Sequence, residues 1–416
     1  MEKLIETIVG AIQDKKGKDI VSLDLSGFDG AICSHFVVCN ADSTMQVVAI
    51  ADGVEEAVAF FRFPNDEKPM KIYIFKAKGD SYEQYARIEG TSSLIYSVNY
   101  ADLDGDGLRE ILVGYRSSSD VQGLSIYPMT AGSPEALLIT GYSRYANIDM
   151  NGDGKQELLI LCSDTESVGR VDYYDWTDGT LTMRYSMRLS LSLAEVSRLT
   201  AGTLTGGENA LFVTGVTAEN QTVTDVLALR GERLQNIALG ADGSQMPSLS
   251  AFLGLFPRDE NDDGVTEVPE ARALRSFDHE SEPQYYIVWR QYAADGTADD
   301  VQSCFHNVSD GWSLTLPEEW NKEELAAERV AGTGETAVDF YRVDADGTRE
   351  KLLTIYRLTG DMREELGSIG DRFTLTRQVE AVYAAEIGET WNVQLTEQSL
   401  RERFSLIMAE WVMGDN

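Results

Sequence analysis

The chain of 416 residues carries 35 basic against 69 acidic side chains, a formal net charge of −34. With no basic patch to offset it, that surplus argues against direct binding to DNA, RNA or an anionic membrane and favours cations. Its 43% apolar content can fill the cores of two or three domains, so the chain reads as globular rather than disordered.

No window reaches the roughly 20 apolar residues of a membrane helix, so no transmembrane segment is expected. Residues 1–8 carry acids where an export signal needs a basic start and an unbroken apolar run. As written, the chain is therefore expected to be cytoplasmic. Cys33, Cys39, Cys162 and Cys304 lack C-x-x-C spacing and read as small buried hydrophobes rather than zinc ligands.

In chain order, Leu4, Ile5, Ile8, Val9 and Ile12 form the apolar stripe of an amphipathic helix that Gly17 ends. Residues 20–25 alternate as a strand and residues 36–39 form a second. Ser43 and Gln46 then make a capping box for a helix with Val47, Ala51, Val54 and Val58 on one face. The segment is α/β in pattern. In Ile12-Gln13-Asp14-Lys15-Lys16-Gly17-Lys18-Asp19-Ile20, His35-Phe36-Val37-Val38-Cys39 and Gln46-Val47-Val48-Ala49-Ile50-Ala51-Asp52 it resembles the first half of the ribosome silencing factor (Iojap-like) family. The resemblance implies a nucleotidyltransferase-like fold without that catalysis, and docking of residues 1–57 on a protein of the large ribosomal subunit. It stops near Ala57, so an incomplete sheet with exposed edges is expected there.

One peptide then recurs. It stands as Asp102-Leu103-Asp104-Gly105-Asp106-Gly107-Leu108-Arg109-Glu110, as Asp149-Met150-Asn151-Gly152-Asp153-Gly154-Lys155-Gln156-Glu157, and as Asp259-Glu260-Asn261-Asp262-Asp263-Gly264-Val265-Thr266-Glu267. Each runs D-x-[DN]-x-D-G-x-x-E. Positions 1, 3 and 5 can turn three oxygens inward, Gly at position 6 permits the bend, and the acid at position 9 closes the shell. Hard oxygen ligands favour Ca2+, in about three structural sites. An EF-hand would close at position 12 and flank the loop with helices, whereas here apolar strand residues follow at 111–113 and 158–161. The third copy meets Pro269 early, which predicts a shorter or displaced strand.

Two weaker copies, around Asp52 and Gly206, complete a ladder with one loop in roughly every 50 residues. The copy at Gly206-Gly207 has lost its acids and is expected to keep its turn and the strand at 211–213 without metal. The copy at Asp52 has Val48 and Ile50 at positions 1 and 3 and should not hold one either. Short strand-like stretches at 124–127, 136–140, 171–174 and 226–229 fill the gaps, the content of propeller blades.

From about Val58 to Ser309 the chain thus resembles the FG-GAP/VCBS repeat β-propellers of integrin α-chain heads and bacterial surface lipoproteins. The resemblance implies that the Asp-rich loops clip strands together through calcium: Asp102, Asp104, Asp106 and Glu110; Asp149, Asn151, Asp153 and Glu157; Asp259, Asn261, Asp263 and Glu267. It further implies a non-catalytic role at a cell surface with a protein or glycan ligand. Asp52-Gly53-Val54-Glu55-Glu56-Ala57 suits both families, so the join reads as a recombination or an assembly artefact at a short shared stretch. Helix is expected to Ala57 and strand from Val58, with a turn at Pro64-Asn65-Asp66.

Residues 310–416 read as a small α+β domain. Residues 312–316 form a strand, Pro317 stops it and Trp320 anchors it. Strands at 338–343 and 352–356 flank a hairpin turn at Asp344-Ala345-Asp346-Gly347. A strand at 382–387 and a closing helix carrying Leu400, Phe404, Ile407 and Trp411 complete it. The pattern is faintly similar to the PsbP/Mog1 sandwich.

His35, His279 and His306 are the only histidines, and no nucleophile elbow, P-loop, H-E-x-x-H or dinucleotide fingerprint appears. No catalytic or cofactor-binding residue is assigned, and the chain is expected not to be an enzyme. The expected fold is mainly β: a propeller at 58–309, after a truncated α/β segment at 1–57 and before the α+β unit. The expected function is a calcium-binding propeller module, with ribosome silencing through residues 1–57 as the alternative.

Overall fold

The computed structural model describes residues 18–24, 35–40, 56–63, 66–78, 81–90, 94–116, 122–163, 169–218, 220–240, 248–250, 255–275, 284–388 and 395–407. It falls into two compact units, Met1–Arg188 and Leu189–Asp415. The expected helices at 4–12 and 43–55 lie outside the described residues.

In the first unit, β1 (Lys18–Asp24) pairs antiparallel with β2 (His35–Asn40), Val21 facing Val38. Both expected strands are present. A three-stranded meander follows: β3 (Glu56–Arg62), β4 (Met70–Lys78) and β5 (Ser81–Gly90). The helix expected to reach Ala57 does not, because Glu56 and Ala57 already pair with Lys76 and Phe75 of β4. The ladder overrides the local helical pattern. Between β3 and β4, Asp66 N–H donates to the Phe63 carbonyl at 3.0 Å, and the Phe63 N–H to the Pro69 carbonyl at 2.8 Å. The buried Lys71 ammonium sits 3.0 Å from Asp66 and 2.8 Å from Glu89, so the loop closes over a paired charge.

Two four-stranded antiparallel meanders complete this unit. The first runs β6 (Leu94–Ala101), β7 (Glu110–Arg116), β8 (Gln122–Tyr127) and β9 (Leu138–Gly141); the second runs β10 (Arg144–Ile148), β11 (Glu157–Ser163), β12 (Gly169–Thr177) and β13 (Thr180–Arg188). β7 shows how they stack. Ile111 and Val113 point to a core with Ile72, Ile74 and Ile88 of the preceding sheet, whereas Leu112 points to one with Leu103, Leu124, Leu158 and Ile160. A strand buried on both faces needs an unbroken apolar run rather than alternation, and residues 111–113 and 158–161 supply it.

The second unit opens with the same motif, β14 (Val196–Thr203), β15 (Asn209–Val216), β16 (Thr222–Arg230) and β17 (Arg233–Asn236), with β18 (Ser248–Ser250) pairing on β16. Next come β19 (Glu267–Ala273), β20 (Tyr285–Tyr292), β21 (Ala298–Asn307) and β22 (Trp312–Thr315). The expected boundary at residue 310 therefore cuts this sheet between β21 and β22. β19 begins at Glu267 and is as long as β7 and β11, so Pro269 neither shortens nor displaces it. On the side away from β20, β19 makes only the Arg258–Glu267 bridge among the described residues. The missing N–H of proline costs nothing on such an edge.

The last sheet contains β23 (Leu325–Gly332), β24 (Glu335–Val343), β25 (Arg349–Thr359), β26 (Phe373–Arg377) and β27 (Ala381–Ile387) in the order β23-β24-β25-β27-β26, with a one-turn helix α1 (Arg363–Leu366) between β25 and β26. The hairpin at 344–347 forms as expected: Asp344 N–H bonds the Thr348 carbonyl, and Gly347 takes a φ of 86°. Trp320 is buried behind Pro317, whose carbonyl accepts the Trp320 N–H at 3.2 Å. The closing helix is shorter than expected. A Thr396/Ser399 capping box starts α2 (Glu397–Arg403), but residues 404–406 form β28 (Phe404–Leu406) on the open edge of β22. Phe404 and Ile407 thus leave the helical stripe, because pairing with β22 lays the Phe404 ring on Trp312. Trp411 lies outside the described residues. The architecture is mainly β: antiparallel sheets of two to five strands, the four- and five-stranded ones of propeller-blade type.

Candidate metal centres

Each Asp-rich loop runs into the start of a strand, the inner strands β7 and β11 or the edge strand β19. All three build the same hydrogen-bond lattice. The position-1 carboxylate accepts backbone N–H groups from across the loop: Asp102 from Gly105 at 2.8 Å and Gly107 at 3.1 Å, Asp149 from Gly152 at 2.7 Å and Gly154 at 3.0 Å, Asp259 from Gly264 at 2.8 Å. Position 3 takes the N–H of position 5, with Asp104, Asn151 and Asn261 accepting at 3.0, 2.8 and 3.1 Å. Position 5 takes that of position 7, with Asp106, Asp153 and Asp263 accepting at 2.7, 2.9 and 2.8 Å. These Asx turns satisfy a stretch of backbone too short for any ladder.

The glutamates at position 9 are buried, and one oxygen of each accepts the position-2 N–H: Leu103 on Glu110 at 2.9 Å, Met150 on Glu157 at 2.7 Å, Glu260 on Glu267 at 2.7 Å. Side-chain oxygens then gather within 4.8 Å of one another in three triads: Asp102, Asp104 and Glu110; Asp149, Asp153 and Glu157; Asp259, Asp263 and Glu267. Nine of the twelve expected ligands are thus brought together. Asp106 stays outside its triad, and Asn151 and Asn261 turn their amide nitrogens onto Glu157 and Asp263, each at 3.0 Å.

Burial, reinforced by Asp104 and Asp106, pushes the Glu110 carboxyl up to about 7 against the pull of the Leu103 N–H. Burial with Asp153 and Asp149 does the same to Glu157, also about 7, and burial raises Glu267. Such crowding of acids is relieved by a divalent cation. Oxygen-only donors on a Gly-hinged loop fit Ca2+ better than a transition metal.

Two features escaped the sequence. Position 4 as well as position 6 adopts positive φ, at Gly105 (77°), Gly152 (74°) and Asp262 (61°); the repeated Gly, Gly, Asp at that position was the available signal. In the third loop, Gln291 of β20 donates its amide to both Asp263 and Glu267 at 2.6 Å. Only the register that sets Gln291 opposite Glu267 places it there, and no local pattern announces it.

The weak copy at Gly206 keeps its turn, with the Gly207 N–H on the Leu204 carbonyl at 2.9 Å and a Gly207 φ of 87°, and β15 follows as expected. The copy at Val48–Asp52 lies outside the described residues. Of the cysteines, Cys304 is a buried hydrophobe. Cys162 is not one: Arg170 donates to its sulfur at 3.2 Å, and the thiol donates to Asp172 at 3.3 Å.

His306 is the histidine whose side chain is described. Burial, with the Arg258 guanidinium adding, pushes it from 6.5 down to about 4. The folded chain thus resists protonation that the unfolded chain accepts near 6.5. Stability from neutral His306 is complete above that pH and is lost as the pH falls toward 4. His306→Gln is expected to flatten this acid limb by about 1–3 kcal/mol, trimmed by the partial exposure of the ring. Urea midpoints of both chains at pH 7 and 4.5 measure it; equal losses would contradict it.

Comparison with known proteins finds a family model for the start of the chain and a set of distant solved structures. A family model described as ribosomal silencing factor during starvation matches residues 1–70, past the expected end at residue 57. None of the curated proteins matches. The solved structures that the chain is similar to include a periplasmic gluconolactonase of Pseudomonas aeruginosa, at 12% identity and a TM-score of 0.29, over 79% of this chain and 90% of that one. They also include the WD40 domain of SCAP from fission yeast, at 10% identity and 0.26, over 70% and 58%. A lectin of Aleuria aurantia is similar at 9% identity and 0.22, over 72% and 90%. The expectation that the chain is not an enzyme does not stand against the first of these, which is itself a lactonase. Among the described residues, no helix is long and apolar enough to cross a membrane.

Proposed function

We propose that the chain is a β-propeller binding module of FG-GAP/VCBS type whose three Asp-rich loops take Ca2+ as structural clips. The observation that carries this reading is the shared lattice of the loops, which gathers carboxylate oxygens from positions 1, 3 and 9 of the first loop, and from positions 1, 5 and 9 of the second and third, within 4.8 Å of one another. Asp102, Asp104 and Glu110 would hold the first ion, Asp149, Asp153 and Glu157 the second, and Asp259, Asp263 and Glu267 the third. Each ion would tie the start of the following strand to the loop before it and neutralise the buried glutamate. Thermal melts of the full chain test this: calcium should raise the midpoint and EDTA lower it. A midpoint indifferent to both would reject the reading.

The match over residues 1–70 favours a second activity, docking of the N-terminal segment on the large ribosomal subunit. Co-sedimentation of the chain with purified large subunits is expected, and its loss when residues 1–57 are removed. A chain that stays in the supernatant at every salt concentration would remove this reading.

A further inference from the structure

We propose that Asn151–Gly152 is a self-modification site, at which the folded chain deamidates Asn151 and so gives the second loop the aspartate set of the first. It is the one Asn–Gly step in the sequence. Deamidation of asparagine requires the next backbone nitrogen to attack the side-chain amide carbon, and three groups around Asn151 favour that attack.

The Gly152 N–H donates to Asp149 Oδ1 at 2.7 Å, a carboxylate within reach to take the proton as the nitrogen attacks. Asn151 Oδ1 accepts the Asp153 N–H at 2.8 Å, the donor that an oxyanion at this oxygen needs. Asn151 Nδ2 donates to Glu157 Oε1 at 3.0 Å, which holds the departing nitrogen away from the attacking one. Gly152 has a φ of 74°, and nothing lies within 4 Å of where a Cβ would stand, so no side chain screens its nitrogen. Both residues are exposed, so water reaches the product.

In the first step the Gly152 N–Cγ bond forms and the Cγ–Nδ2 bond breaks. The proton lifted from Gly152 ends on Nδ2, which leaves as ammonia, and a succinimide remains. One water then opens the ring. Opening at the side-chain carbonyl yields aspartate at 151, matching Asp104 in the first loop; opening at the main-chain carbonyl yields isoaspartate, with an extra backbone methylene that breaks the lattice. The other loops are exempt, since Asp104 stands at position 3 of the first and Asn261 of the third precedes Asp262. A bound cation would occupy Asp149 and Glu157, so the reaction belongs to the metal-free loop.

The test is peptide mapping of the full chain held folded in EDTA near neutral pH in 18O-water. The tryptic peptide of residues 145–155 contains Asn151 together with Asn147, which β10 holds in its ladder, its amide on Gln156 at 3.1 Å. Exchange of NH2 for labelled OH is expected at Asn151 at least about tenfold faster than at Asn147, and several-fold slower in Asp149→Ala. Equal labelling at the two asparagines, or labelling of Asn151 only after unfolding in urea, would overturn the proposal.

Discussion

Replacing Trp312 with alanine is expected to cost the second unit about 3–5 kcal/mol. Trp312 is 1% exposed and belongs to the largest core of that unit. It sits on β22 between two partners, facing Asn307 of β21 and Leu406 of β28. Its ring lies 5.7 Å from that of Phe305 and 5.9 Å from that of Phe404. Phe305 is held by ladders on both sides of β21 and Phe404 by the pairing of β28 with β22, so the cavity collapses little, and lost dispersion adds to the lost transfer energy. Val379, 90% exposed, is the control: Val379→Ser should stay within about 0.5 kcal/mol. Urea unfolding with a shared slope compares the two; similar midpoints would contradict the placement of the core.

Saturating calcium is expected to act on a comparable scale, adding about 2.7 kcal/mol per occupied loop at a hundredfold excess over the dissociation constant. Two triads lie in the first unit and one in the second. Hydrogen exchange should therefore show about twice the gain in β7 and β11 together that it shows in β19. Without the ion, each loop crowds acids around a buried glutamate. Asp104→Ala, Asp153→Ala and Asp263→Ala should each remove one increment, because each deletes a triad oxygen while leaving the position-9 glutamate on its backbone N–H. A calcium gain that survives all three changes together would refute the assignment.

What could be read in advance follows from how local each signal is. The bends of the Asp-rich loops were legible because Asx turns and Gly hinges are decided within nine positions, although the positive φ at position 4 and the turning of Asn151 and Asn261 away from the triads were not. The runs at 111–113 and 158–161 became strands buried on both faces. Pro269 misled because its cost depends on whether β19 has a partner on each side, a fact set by Arg258 and not by the residues beside the proline. Glu56 and Ala57 were drawn into β3 by Lys76 and Phe75, partners a long way along the chain. Phe404 left the helical stripe for the edge of β22 for the same reason. Gln291 reaches the third loop only through the register of β19 on β20.

Calorimetric titration of the metal-free full chain with calcium tests the central claim most directly. Three ions per chain are predicted, one for each triad, falling by one with each of Asp104→Ala, Asp153→Ala and Asp263→Ala. No binding heat, or a stoichiometry that none of these substitutions changes, would contradict it.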